Sequence, residues 1–475
     1  MKALLLNPPF RRRIGNIWRY VSSVLPPLGL GYIAAMLERS GVDVDMIDAP
    51  AEGVSMNLLP RRIGGNRYDL VGITATTTMF PSALAAARLI KDLSPRATVV
   101  VGGVHATARP EEALAEKAVD MVVSGEGEIT FTEIAKGADP KDTPGVITRD
   151  GDGGVQSSGS RPLISDLDEL PFPAYHKMPM RLYRPAIGGY HRLPAMHMLT
   201  SRGCAHRCTY CYHIFGRGVR FRSSANVLAE LKYMAERFDM KEVYFYDDTF
   251  NARKERVIEI CEGLLKMRLG IEWSCLARVD GMTPEILSLM KRSGCHSITY
   301  GIESADPEIL IAIRKRISLE EAERVARYTL ESGIVCRVGF MLGSPGETRE
   351  SMERTIQYAI DIGAHGALYN IVAPYPGTEM FDWGVKNGYI KNFNWEQYDF
   401  STPILEIPGL TPADIKRAQD IGHRRFFLRP AFFWAVLTHI RTAADFKEAV
   451  MGALSVTGAL EAYERFNNFL RGRNE

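Results

Sequence analysis

A chain of 475 residues is too long for one ordinary core and long enough for two or three domains, each able to bury an apolar interior. Hydrophobic residues at 46% and charged residues at 24% describe a folded globular chain. A formal charge of +2 leaves no broad basic field, so nucleic acid is not expected as a partner, and local runs such as Arg11-Arg12-Arg13 read as solvated surface.

The start, MKALLLNPPF, lacks the layout of a signal peptide, and no apolar run reaches the roughly 18 residues of a membrane span. The expected location is the cytoplasm. Lys2–Asn7 predicts a strand and Leu30–Ser40 a helix stopped by Gly41. Strand candidates Val42–Ile47, Leu70–Thr74, Thr98–Val101 and Met121–Val123 follow, separated by helical patterns of which Ser82–Leu93 is the clearest. Nearly all-apolar strands alternating with helices predict an α/β unit with a doubly wound parallel sheet over residues 1–140. Residues 141–194, with GDGGVQSSGSRP and the segment Asp166 to Pro173, read as a connection between domains.

From Met196 the alternation resumes. Met196–Ser201, Glu242–Tyr246, Glu272–Ala277, His296–Gly301, Val335–Met341 and Leu368–Ala373 predict strands; Val227–Arg237, Arg256–Lys266, Pro284–Ser293 and Leu319–Ser332 predict helices between them. Six such units in series predict a partial (β/α)6 barrel over residues 195–400, with its chemistry at the carboxyl ends of the strands. Residues 401–475 read as helical. Their stretch Arg424 to Trp434 is a basic and aromatic cluster that could pack on the barrel or touch a lipid surface.

Three of the seven cysteines fall in SRGCAHRCTYCY, just after the first barrel strand. Their odd total and close spacing do not describe a secreted disulfide framework, and in a reducing compartment such a group points to metal. Three thiolates from one loop can ligate three irons of a cubane iron–sulfur cluster and leave one iron open to another ligand. Zinc is the competing reading, with His206 or His213 as fourth ligand in a non-catalytic binding module.

The spacing Cys204-x-x-x-Cys208-x-x-Cys211, with Tyr210 before the last cysteine, resembles the signature of the radical S-adenosylmethionine superfamily. The resemblance implies that these cysteines hold a 4Fe–4S cluster whose open iron is chelated by S-adenosylmethionine. An electron from an external donor such as flavodoxin or ferredoxin then yields a 5′-deoxyadenosyl radical. Tyr246-Asp247-Asp248-Thr249-Phe250 resembles the element that holds the amino group of the cosubstrate, which implicates Asp247 and Asp248. Glu303 in Gly301-Ile302-Glu303-Ser304 resembles the ribose-binding acceptor, Gly343 in Gly339 to Glu347 the adenine-side element, and Pro374 to Thr378 a later family turn. Arg337 is a candidate for the cosubstrate carboxylate. From the residues alone, the aspartates could instead cap the following helix, Glu303 could pair with a lysine, and the partner of Arg337 could be structural.

The first unit resembles the cobalamin-binding domain of one branch of that superfamily. The matching residues are Pro26 to Tyr32, the run Thr74 to Thr78 with Thr74 and Thr76, Val101 to His105 with Gly102 and Gly103, and Gly125 to Glu128 with Gly125 and Glu126. Small and hydroxylated residues at the carboxyl edge of a parallel sheet suit a flat or elongated cofactor. The Asp-x-His-x-x-Gly motif that supplies a cobalt ligand elsewhere is absent, its loop reading PPFRRRIGNIW, and His105 is an alternative near the cofactor tail. Together these resemblances imply an enzyme that methylates an unactivated carbon of a small-molecule or lipid-like substrate, or one that carries out a radical oxidative cyclisation. A transfer-RNA methylthiotransferase is disfavoured, since the first 203 residues contain no cysteine for a second cluster.

Overall fold

The computed structural model describes residues 1–10, 23–151, 154–185 and 189–430, with Phe446 and Val450 beyond them. Each block of alternating strand and helix patterns builds its own parallel sheet. In the first, β1 (Lys2–Asn7), β2 (Asp43–Asp48), β3 (Leu70–Thr74), β4 (Thr98–Gly102) and β5 (Met121–Val123) run parallel in the order β2-β1-β3-β4-β5. Helices cover both faces, which is why Ala3, Leu4, Leu5 and Leu6 of β1 are all fully buried.

The stretch expected to be a plain connection contributes two more strands to this sheet. β6 (Val146–Arg149) pairs antiparallel with β5, and β7 (Val155–Ser157) pairs antiparallel with β6. Where the two strands meet, the Asp150 N–H donates to the Gly154 carbonyl at 3.0 Å. The turn residues of the stretch masked two short strands.

The second sheet has the order β15-β14-β13-β12-β11-β8, all parallel: β8 (Ala195–Met198), β11 (Glu242–Phe245), β12 (Glu272–Ala277), β13 (Cys295–Glu303), β14 (Val335–Leu342) and β15 (Gly366–Ile371). It is a six-stranded open barrel. The expected strand Met196–Ser201 breaks after Met198, and its end pairs separately as β9 (Ser201–Arg202) with β10 (Arg220–Phe221). On β13 to β15 the side chains alternate: Ile298, Tyr300, Val338, Phe340, Tyr369 and Ile371 are buried against helices, while Thr299, Gly301, Glu303, Arg337 and Leu368 line the partly open lumen.

The helix Pro412–Phe427 packs onto β15, where the Gln419 amide donates to the Tyr369 carbonyl at 2.8 Å and Phe426 is fully buried. This part of the basic and aromatic cluster therefore belongs to the barrel wall. Residues 431–434 of the cluster, and residues 11–18 of the amino-terminal loop, lie outside the described residues. Among the described residues no helix is long and apolar enough to cross a membrane.

Candidate active site between the two sheets

The cysteine loop starts from a bend that Asp247 makes. This carboxylate, fully buried at the end of β11, accepts the Thr200 N–H at 2.5 Å, the Ser201 N–H at 3.1 Å and the Thr200 hydroxyl. Asp247 is thus not where a cosubstrate ammonium would meet it, which corrects the expected role: its oxygens are occupied in turning the chain out of β8. Gly203 follows with φ of 91°, and a Cβ there would lie 2.2 Å from the Gly218 carbonyl oxygen.

Between that bend and the first cysteine lies Arg202. Its guanidinium donates to Glu126 at 2.7 Å and to Glu128 at 2.6 Å, and it stacks 5.2 Å from the Tyr32 ring centroid. Arg220 of β10 grips the same Glu126 at 2.9 and 3.0 Å, and the Ile164 N–H donates to it at 2.8 Å. Burial pushes the Glu126 carboxyl up, but the hydrogen bonds from Arg220 and Arg202 outweigh it and hold the carboxyl below its ordinary value. Glu126 was expected to touch cobalamin. The structure assigns it to the joint between the two domains instead, with no lone pair left over for a cofactor.

The loop then crosses the mouth of the open barrel. Thr209 donates its N–H to the Ile313 carbonyl at 3.1 Å, and its own carbonyl accepts the Met380 N–H at 2.9 Å. Tyr212 lies over Gly377, whose φ is 86°; a Cβ there would come within 2.5 Å of the ring. That close approach accounts for the glycine of the Pro374 to Thr378 turn.

Cys204 is part-buried beside the Thr249 hydroxyl at 3.7 Å, Cys208 is buried with its thiol 3.7 Å from the Arg314 carbonyl, and Cys211 is exposed. A hydrogen bond from Cys211, helped by the nearby charges of Lys315 and Arg278 and by the Tyr210 hydroxyl, brings the Cys208 thiol down to about 6; the Cys211 thiol moves up. Among the described residues no three His, Cys, Asp or Glu side chains converge on one metal ion. Thiolates that each hold a different iron of a cube need not converge in that way, and the buried cations Lys315 and Arg278 suit an anionic cluster. The residues present therefore fit the cube.

Arg278 and Lys315 escaped the sequence reading. Arg278 follows directly on β12, and a charge ending an apolar strand was the available signal; Lys315 sits in a basic run, IRKRIS, that offered none.

The other barrel residues divide by depth. Asp248 accepts the Gly203 N–H; its side chain is exposed, yet desolvation at the carboxyl end and the Asp247 charge push its pKa up. Glu303 ends β13 with φ of 74°, a left-handed conformation rare for glutamate, and its Oε1 accepts from Lys315 at 3.0 Å. The lysine pairing weighed from sequence is thus present, but the lysine is buried and belongs to the site. A Cβ at Gly301 would meet Glu303 Oε1 at 2.6 Å and Lys315 Nζ at 3.1 Å, so the pair sits in the space that the glycine leaves.

Gly343, with φ of 85°, starts a loop whose N–H, with that of Ser344, is bound by the buried Glu347 at 2.5 and 2.8 Å. Ile415 of the last described helix packs on Gly343. Arg337 is placed otherwise than expected. It faces Thr299 and Gly366 five residues before the end of β14, roughly 16 Å below the carboxyl edge at about 3.3 Å per residue.

In the first sheet, Thr74, Thr76, Gly102, Gly103 and Gly125 do gather at the carboxyl edge of β3, β4 and β5. Gly125, with φ of 76°, has open space where a Cβ would stand, and Thr76 is exposed, so the edge offers room for a flat cofactor. Gly103 serves the backbone itself: a Cβ would lie 2.8 Å from the Ala75 carbonyl. His105 is enclosed between Phe80, at 4.1 Å, and Trp395, at 5.0 Å between ring centroids.

A doubly wound sheet with an open cofactor edge, locked to a three-cysteine loop over an open parallel barrel, defines an enzyme class that couples two cofactors. Two family comparisons agree: the B12 binding domain matches residues 17–135, and the Radical SAM superfamily matches residues 198–359. An uncharacterized methyltransferase of Pyrococcus horikoshii is 35% identical over 437 residues, covering 90% of this chain and 93% of its own. The anaerobic magnesium-protoporphyrin IX monomethyl ester cyclase of Rubrivivax gelatinosus is 27% identical over 91% of this chain and 78% of its own. The cytidylyl-2-hydroxyethylphosphonate methyltransferase of Streptomyces wedmorensis is 28% identical, with 86% of each chain covered. Among solved structures, the radical S-adenosylmethionine methyltransferase TsrM from Kitasatospora setae, with cobalamin and a 4Fe–4S cluster bound, shares the fold at a TM-score of 0.71 and 18% identity, covering 98% of this chain and 99% of that one.

The chain belongs to the cobalamin-dependent radical S-adenosylmethionine enzymes, the family that includes these methyltransferases. Its cofactors are a 4Fe–4S cluster, S-adenosylmethionine and cobalamin.

Proposed function

We propose that this enzyme methylates an unactivated carbon of a small-molecule or lipid-like substrate in the cytoplasm, drawing its electron from an external carrier such as flavodoxin or ferredoxin. When bound, the three cofactors supply a 5′-deoxyadenosyl radical and a transferable methyl group. Cys204, Cys208 and Cys211 hold the cluster. Asp248, just beyond β11, and Glu303, at the carboxyl end of β13, would accept from the ammonium and ribose hydroxyls of S-adenosylmethionine, and the Gly343 loop that ends β14 would stand on the adenine side. Thr74, Thr76, Gly102, Gly103 and Gly125 carry cobalamin. The Lys315 and Arg278 charges stabilise the thiolates.

The observation that carries this reading is the bridge from Glu126 and Glu128 to Arg202. Glu126 follows Gly125 at the cofactor edge of the first sheet, and Arg202 lies two residues before Cys204, so the two cofactor sites share one rigid joint. The test is anaerobic incubation of reconstituted enzyme and cobalamin with methyl-labelled S-adenosylmethionine and candidate extracts, followed by mass spectrometry. A product heavier by one labelled methyl group is expected. Deoxyadenosine with an unlabelled, oxidised or cyclised product would replace methyl transfer by the cyclase reaction of the Rubrivivax relative.

A further inference from the structure

We propose that Phe400 is a substrate-contact residue, an apolar wall that receives the hydrocarbon face, alkyl or ring, carrying the carbon to be methylated; this deepens the radical methylation reading above and rests on it. The first ground is position. β8 and β15 are the two edge strands of the open barrel, and the first domain is joined to the chain beyond each of them. Past β8, Arg202 holds Glu126 and Glu128. Past β15, the Trp395 ring lies 5.0 Å from the ring of His105, two residues beyond Gly103, and its Nε1–H donates to Glu112 at 2.8 Å. Five residues further on, the Phe400 carbonyl accepts the N–H of Ile371, the last residue of β15, at 2.8 Å. Phe400 therefore stands on the segment that links the cofactor edge of the first sheet to the carboxyl rim of the barrel.

The second ground is strain. Phe400 has φ of 63°, a left-handed value rare for any residue with a side chain, and it is 44% exposed. Others in the same segment are turned inward: Trp395, Tyr398 and Ser401 are buried. The Phe400 carbonyl is held twice, by the Ile371 N–H and by the amide of the fully buried Gln419 at 3.0 Å. Ser401 donates its N–H and its hydroxyl to Asp399 at 3.1 and 3.0 Å. These bonds fix a backbone conformation that glycine would adopt at less cost. A phenylalanine there gives up stability to turn an aromatic ring toward solvent, the pattern of strain held at ligand-contact sites.

The third ground is that the ring is supported and connected. It stands edge-on to Tyr375, at 5.7 Å between centroids and 82° between planes, and the Tyr375 hydroxyl donates to the Tyr398 carbonyl at 2.8 Å. Tyr375 belongs to the turn whose Gly377 lies under Tyr212, the residue after Cys211. Packed groups therefore run from the cysteine loop to Phe400, and Tyr398 against Trp395, at 5.0 Å, continues them to the cofactor edge. A ring held in this way loses little freedom when a ligand covers it, and it offers an apolar surface. A carboxylate or phosphate set against it would be desolvated without a partner. A carbon that reacts only with a radical carries no such group, so the substrate class is one with a hydrocarbon face at the reacting carbon and its polar groups placed elsewhere.

The test compares the full-length, anaerobically reconstituted parent with Phe400→Tyr, Phe400→Ala and Phe400→Gly. Three quantities are read on each: the urea unfolding midpoint, the affinity for the neutral apolar fluorophore N-phenylnaphthylamine, and the labelled product formed per deoxyadenosine in the extract assay above. The backbone should set stability, with Phe400→Gly unfolding at higher urea than Phe400→Ala, because glycine alone is unstrained at this φ. The ring should set binding. Phe400→Tyr is expected within about twofold of the parent, while Phe400→Ala and Phe400→Gly alike bind the probe about fivefold or more weakly, in line with one lost aromatic contact. Both should also lower labelled product per deoxyadenosine by about tenfold, as the radical forms beside a carbon no longer held in place. A parent that binds no probe, equal probe affinity in parent and Phe400→Gly, or unchanged labelled product per deoxyadenosine would each overturn the wall. So would losses that follow stability, with Phe400→Gly staying near the parent while Phe400→Ala falls. A parent that makes deoxyadenosine without labelled product overturns methyl transfer instead, and the probe affinities still decide the wall.

Discussion

Arg202 and Glu126 form a buried ion pair at 2.7 Å, and it joins the two domains beside the cluster cysteines. Glu128 takes the other arm of the guanidinium at 2.6 Å, and all three side chains are at most 5% exposed. Removing the arginine leaves two buried carboxylates without that partner, an effect worth about 3–5 kcal/mol for a broken buried pair. Arg202→Met should lower the unfolding free energy measured by urea titration by that amount and reduce the iron bound per chain after reconstitution. Adding Glu126→Gln and Glu128→Gln should recover part of the loss. A fully stable, iron-replete Arg202→Met would show that the joint is dispensable.

Asp247 and Asp248 are neighbours with separable tasks. Asp247→Ala would orphan two N–H groups and a hydroxyl at the start of the cysteine loop, at about 1–3 kcal/mol for each buried donor left unsatisfied. It is expected to lower iron loading, while the cluster-loaded fraction keeps its affinity for S-adenosylmethionine. Asp248→Ala should do the reverse, loading iron normally and weakening the cosubstrate. Equilibrium binding on matched iron-loaded samples checks both, and identical behaviour of the two variants would contradict this division.

Gly377 accommodates the Tyr212 ring through both its conformation and its missing side chain. Gly377→Ala should cost roughly 1–3 kcal/mol from the left-handed backbone alone, with the ring clash added. In a Tyr212→Ala background the same change should cost less, since only the backbone penalty remains. Thermal unfolding of the four proteins measures the difference; an equal cost in both backgrounds would mean the contact carries nothing.

Burial pushes the Glu347 carboxyl up to about 8 from its ordinary 4.5, against the Ser344 and Gly343 N–H groups that favour its charge. A raised carboxyl favours the neutral form in the folded state. Its contribution is therefore complete below pH 4.5 and is lost as pH climbs through 8. Glu347→Gln keeps an oxygen for both N–H groups and cannot ionise, so its unfolding temperature should fall less than the parent's between pH 5 and pH 9. Parallel curves would place the charge elsewhere.

Much of the molecule was legible because its signals are local. Leu70–Thr74, Met121–Val123 and Glu272–Ala277 form strands with the bounds their apolar runs predict, and Cys204, Cys208 and Cys211 follow one another on a single loop. The β6–β7 hairpin was not legible, since three- and four-residue strands carry too little alternation beside so many turn residues.

The roles of the acidic residues depended on distant donors. Glu126 stands beside the cofactor edge in sequence, but Arg202 arrives from 76 residues away and claims it. Asp247 sits where a cosubstrate site was expected, but Thr200, 47 residues earlier, folds back onto it. Glu303 and Arg337 show the same dependence, one because Lys315 is turned inward, the other because strand register sinks it into the lumen. The sequence by itself determined the parallel strands of two sheets and the close placing of three cysteines on one loop, because apolar periodicity and cysteine spacing act over a few residues. Only the tertiary structure decided what each carboxylate does, because a buried charge is defined by whichever partners the packed chain brings within hydrogen-bond reach.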